Sequence, residues 1–174
     1  MVKFAGRAFD IGADRVAAYD RVTRDDLVRL RRMPNLRALN LNTAAITDDD
    51  LEVVGRLGTL EDLDISTTDV TDAGARHLSG LTRMRHLRIK ETRITDVGIG
   101  WLAPMTELET INVRRLDITD AGLLRLADHQ CLDTLVMSDE LADGRFSYAA
   151  LAEVQRRLPA CEIVVVGRGT FPHI

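Results

Sequence analysis

Cysteine is scarce in this chain, with only Cys131 and Cys161 among 174 residues. Nothing in their spacing pairs them, so no disulfide framework is expected. Histidine is nearly as rare. His77, His86, His129 and His173 never recur at the three- or four-residue spacing of a helical zinc site, and no metal is expected. The sequence has no Gly-x-x-x-x-Gly-Lys phosphate loop and no Gly-x-Ser-x-Gly elbow. With no nucleophile–base constellation to read, neither an enzyme nor a cofactor is expected. An excess of positive charge is also missing. The formal net charge is −4, which argues against general nucleic-acid binding. No apolar run approaches the length of a membrane span. Met1 to Asp10 carries no uninterrupted apolar core behind Lys3, so a secretion signal is not expected and a cytoplasmic location is the default.

What the chain does have is repetition. Leu36, Leu60, Met84, Leu108 and Leu132 stand 24 residues apart. Two strand columns keep that step, Leu39/Leu63/Leu87/Ile111/Leu135 and Leu41/Ile65/Ile89/Val113/Met137. A turn column, Ile46/Val70/Ile94/Ile118, is followed each time by Thr-Asp. Glycine then recurs at Gly74, Gly98 and Gly122, with Asp50 in that place in the first unit. Helix positions Leu51/Ala75/Ile99/Leu123 and Val54/Leu78/Leu102/Leu126 complete the register. Each unit reads as a short strand with alternating apolar residues, a tight turn and an amphipathic helix. A fixed period in this range marks stacked repeats.

The Thr-Asp pairs are not metal ligands or paired catalytic carboxylates, because one site does not need four copies. Threonine caps each helix start, and the aspartate favours the positive end of its dipole. Asp48-Asp49-Asp50 lacks the alternating ligands and turn glycine of a calcium loop. Cys161 falls in the first leucine column and reads as a buried small hydrophobe. Trp101 is expected on a helix beside Leu102, partly buried between helices.

The unit Leu-x-x-Leu-x-Leu-x-x-Thr-x-Ile-Thr-Asp-x-Gly-Leu-x-x-Leu resembles the leucine-rich repeat. It is most similar to the Thr-Asp-x-Gly-Leu variant of many bacterial repeat proteins, related to the repeats of F-box-type adaptors. Ala44, Thr68, Thr92 and Leu116 stand where the family places Asn or Cys in the turn. The resemblance spans about residues 22–166. It implies an α/β right-handed solenoid with a parallel β-sheet on the concave face and α-helices on the convex face. One domain, 1–174, is expected: an N-terminal cap over 1–21, repeats over 22–158, and a final strand and tail over 159–174. The step from Leu132 to Cys161 is 29 residues, which places an insertion within 138–149.

Parallel strands in register put equivalent residues side by side, about 4.8 Å apart. Three columns are expected to face the concave side. They run Ala38, Asp62, His86, Thr110, Thr134, Ile163; then Asn40, Asp64, Arg88, Asn112, Val136, Val165; then Asn42, Ser66, Lys90, Arg114, Ser138, Gly167. An acidic rung, Asp62 and Asp64, therefore precedes a basic one of His86, Arg88 and Lys90. Asp64–Arg88 and Asp62–His86 are the expected cross-strand pairs. Lys90 beside Arg114 is a like-charged contact that costs stability, with Glu91 at hand to relieve Arg114 or Arg115. The candidate partner-binding residues are Asp62, Asp64, His86, Arg88, Lys90, Asn112, Arg114 and Arg115. The partner expected is another protein with an acidic surface, bound by a non-catalytic adaptor or a bacterial inhibitor or immunity-type module. The alternative is a small-ligand or anion-binding protein, or an enzyme with an unconventional site at Arg88, Lys90 and Arg114.

Overall fold

Leucine columns 24 residues apart become neighbours in one sheet. The computed structural model describes residues 1–19, 21–138 and 145–172. Parallel strands β3 (Arg15–Ala17), β4 (Ala38–Asn40), β5 (Asp62–Asp64), β6 (His86–Arg88), β7 (Thr110–Asn112), β8 (Thr134–Met137) and β9 (Glu162–Val165) lie side by side in chain order. Their register pairs Val16, Leu39, Leu63, Leu87, Ile111, Leu135 and Ile163 across successive strands. Every one of those side chains is buried. A terminal strand β10 (Gly169–Phe171) folds back antiparallel on β9. Between the strands run α1 (Arg24–Leu30), α2 (Asp48–Val54), α3 (Asp72–His77), α4 (Asp96–Gly100), α5 (Asp120–Leu126) and α6 (Tyr148–Arg157), each packed on the next. The chain is a right-handed solenoid with its parallel sheet concave and its helices convex.

Helices of five to seven residues are too short to persist alone in water. They hold because one face of each enters the core, as with Leu51 and Val54, or Leu123 and Leu126. Burying a leucine contributes about 1.5–3 kcal/mol, so each unit depends on contacts with both neighbours.

The first residues of the chain form a hairpin that periodicity does not reveal. β1 (Val2–Phe4) and β2 (Arg7–Phe9) pair antiparallel around Ala5 and Gly6, both at positive φ (46° and 76°). Phe4 is fully buried and meets Phe9 edge-on, with ring centroids 6.3 Å apart. β1 packs on α1, the first helix of the stack.

The last strand corrects the expected register. The repeat step puts Ile163 and Val165 on the concave face, yet they pair with Leu135 and Met137 and are fully buried. Glu162 and Val164 continue the concave columns in their place, opposite Thr134 and Val136. Ile163-Val-Val-Val166 is apolar on both faces, so alternation cannot set its register there. The centre of the insertion, 139–144, and the last two residues of the tail lie outside the described residues.

Candidate functional site on the concave strand face

Three repeat strands, β4, β5 and β7, end in the same small device. The residue at the second concave position turns its side-chain oxygen back onto the N–H two residues later. Asn40 Oδ1 accepts from the Asn42 N–H at 2.9 Å, Asp64 Oδ1 from Ser66 at 2.9 Å, and Asn112 Oδ1 from Arg114 at 3.2 Å. This is the local turn that Asn and Asp favour. The next residue then takes positive φ at Thr43, Thr67, Glu91 and Arg115, between 55° and 62°. Side-chain bonds hold these turns. The Thr43 hydroxyl donates to the Tyr19 carbonyl at 2.8 Å, and Thr67 donates to Glu91 Oε2 at 3.2 Å.

The expected ion pairs are rearranged. Arg88 does not reach Asp64, its direct neighbour; its Nη1 donates to Asp62 Oδ1 at 2.7 Å, one diagonal away. Asp64 is buried and committed to the Ser66 N–H. His86 does not pair with Asp62 either. Its Nε2 lies 4.0 Å from Glu109 Oε2, a carboxylate that also binds Arg85. A long arginine spans the diagonal easily, and Glu109 precedes β7 and lies outside the concave columns, so pairing direct neighbours reveals neither contact. Glu91 relieves Arg115, with Nη1 to Oε1 at 3.1 Å. The Arg115 N–H also donates to Ser138 Oγ at 2.9 Å.

Lys90 and Arg114 stand apart from this network. Both are half-buried, they are equivalent residues of adjacent units, and Glu91 N donates to the Arg114 carbonyl at 2.9 Å. Among the described residues neither has an ionic partner. Among the described residues, the buried side-chain polar atoms left without a hydrogen-bond partner are Asn42 Oδ1, Ser66 Oγ and Arg114 Nε. All three belong to the column that Lys90 occupies between Ser66 and Arg114. Buried polar groups are nearly always satisfied, so a column of unsatisfied ones calls for an explanation.

Elsewhere the surface offers less chemistry. Cys161 is buried, and burial pushes its thiol up to about 11. Cys131 is exposed. Trp101 is 40% exposed on the helical side, more than expected, with the Arg76 guanidinium 5.5 Å above its ring. Among the described residues no three His, Cys, Asp or Glu side chains gather as metal ligands, and no helix is long and apolar enough to cross a membrane.

Comparison with known proteins bears on the fold. The leucine-rich-repeat family profile matches residues 59–79. No curated protein matches the chain. Internalin C2 of Listeria monocytogenes superposes with a TM-score of 0.57 at 22% identity, over 82% of this chain and 74% of that one. A second internalin of the same organism gives 0.56 at 22% identity, over 86% of this chain. A leucine-rich-repeat protein of Leptospira interrogans gives 0.55 at 17%, over 78%. This chain spans 46% and 38% of the length of those last two. Repeat sequence, strand register and structural neighbours agree: the chain is a leucine-rich-repeat solenoid.

Proposed function

We propose that this chain is a non-catalytic binding module that receives a partner protein on its concave strand face. The leucine-rich-repeat fold is a general scaffold for protein–protein interaction. The observation that carries the reading is the Lys90–Arg114 pair. Among the described residues these equivalent positions of adjacent units carry like charges without an ionic partner, while Arg88 and Arg115 beside them are paired, an arrangement an isolated solenoid gains nothing from. Asp62, His86, Arg88, Asn112 and Arg115 frame the pair, and Asp64 stiffens the turn beneath it. An acidic surface complements the uncompensated charge. An adaptor or an inhibitor of the immunity type, acting in the cytoplasm, fits a module with no catalytic constellation.

Site-specific photo-crosslinking tests this. A benzophenone side chain is placed at Thr110 or Thr134 on the concave face, and at Val97 on the helical face. Irradiation is carried out in extract of the native host. The reading expects one protein joined to both concave positions and absent from Val97. Adducts confined to Val97 would overturn it.

A further inference from the structure

The turn-closing column Asn40, Asp64, Arg88 and Asn112 is interrupted at Arg88, and the interruption bears on what this face binds. In the units of Asn40, Asp64 and Asn112, a side-chain oxygen closes the turn onto the N–H two residues on. In the unit between Asp64 and Asn112 the residue at that position is Arg88, which has no acceptor oxygen and is drawn away to Asp62. Lys90 therefore lacks the acceptor its equivalents enjoy. Lys90 carries an ammonium, and its equivalent one unit on, Arg114, carries a guanidinium whose buried Nε has no partner. Val136 breaks the column again one unit past Asn112, but Ser138 beyond it borders residues outside the described set.

We propose that Lys90 and Arg114 form a carboxylate-binding notch that takes an aspartate or glutamate side chain of the partner protein. One oxygen of the incoming carboxylate accepts from the Lys90 N–H and replaces the oxygen that Arg88 cannot supply. The Lys90 ammonium and the half-buried Arg114 guanidinium neutralise the group. The chain shows the geometry one unit away, where Asp64 Oδ1 takes the equivalent Ser66 N–H at 2.9 Å. Charge-assisted bonds of this kind are about twice as strong as neutral ones. This inference rests on the concave-face reading and specifies its chemistry.

The test is a titration of the ¹⁵N-labelled full chain with three probes: a blocked hexaglutamate peptide, its hexaglutamine counterpart, and inorganic phosphate. Hexaglutamate should move the Lys90 amide and Arg114 Nε–H resonances, and leave the Ser66 and Arg114 amides, which already have acceptors, nearly fixed. The shifts should fade as salt rises from about 0.01 M to about 0.15 M, where the screening length falls from about 30 Å to about 8 Å. Hexaglutamine should move neither. Lys90→Met with Arg114→Gln should weaken hexaglutamate binding about tenfold or more, while the variant's amide spectrum shows the fold retained. Equal shifts at every exposed arginine, or a response to phosphate without one to hexaglutamate, would overturn the notch. Its failure is separable from failure of the wider reading. Crosslinks from Thr110 with a silent Lys90 amide leave concave binding standing and remove the carboxylate; a responsive Lys90 with crosslinks only from Val97 does the reverse.

Discussion

Asp72 of one repeat clamps Thr95 of the next: its Oδ1 accepts the Thr95 N–H and its Oδ2 the Thr95 hydroxyl, both at 2.7 Å. The same rung joins Asp48 to Thr71, Asp96 to Thr119, and Asp120 to Ser147 across the insertion. Where the preceding unit has Arg24 in the aspartate's place, Thr47 is held instead by Asp50 of its own unit, which accepts from the N–H at 2.9 Å. Asp72 also accepts from the Gly98 N–H at 2.9 Å. Replacing it strips an acceptor from three donors. Asp72→Ala is expected to lower stability by about 3 kcal/mol. Asp49→Ala, on the exposed side of α2, should change it by less than about 0.5 kcal/mol. Urea denaturation of the two variants measures the difference.

The rung explains the glycine column. A Cβ at Gly98 would press on Asp72 Oδ1 and lie 2.6 Å from Ile94 Cγ2; Gly74 and Gly122 face Asp48 and Asp96 in the same way. In an unconstrained helix, Gly→Ala gains about 1 kcal/mol. Gly98→Ala is expected to reverse that sign and destabilise by about 1–3 kcal/mol through overpacking. In the Asp72→Ala background the penalty should shrink. A double-mutant cycle read by denaturant midpoints checks this coupling.

Leu87 lies mid-sheet and is fully buried, paired with Leu63 and Ile111. Leu87→Ala should cost about 2–5 kcal/mol. Arg83→Ala, at an exposed position, should be near neutral. Equal losses of melting temperature in the two would contradict the register.

The leucine columns, the strand centres and the cysteine burial were legible because they depend on periodicity and burial alone. The aspartate rung was only half legible. Thr-Asp recurs visibly, but a cap within the unit and a bond to the next unit place the same residues at the same spacing. The signal lay in the exception: Asp50 replaces glycine in the one unit whose predecessor has Arg24 for aspartate. The Arg88–Asp62 diagonal was hidden because a column lists direct neighbours while a guanidinium reaches past them. Register in Ile163–Val166 was hidden because both faces are apolar. The Lys90–Arg114 adjacency needed only strand order, and so it could be read in advance.

His129 is buried, and its Nδ1 donates to the Met105 carbonyl at 3.1 Å. Burial holds its pKa below the ordinary histidine range. The unfolded chain therefore takes up the proton first as pH falls. The stabilising contribution is complete above the unfolded value, about 6.5, and is lost progressively below it. His129→Asn, which can keep a donor near Met105, should flatten the fall in melting temperature between about pH 7 and about pH 5. An unchanged slope would show that another group governs it.

Capture of the crosslinked partner by Lys90→Glu measures the central claim most directly. The substitution turns a like-charged contact with Arg114 into an attractive one, which should hold or raise stability by about 0.2–1 kcal/mol. It also places a carboxylate where the partner's is expected. The account predicts that Lys90→Glu melts at or above the wild-type temperature and no longer captures the partner. Capture at wild-type strength by this folded variant would contradict it.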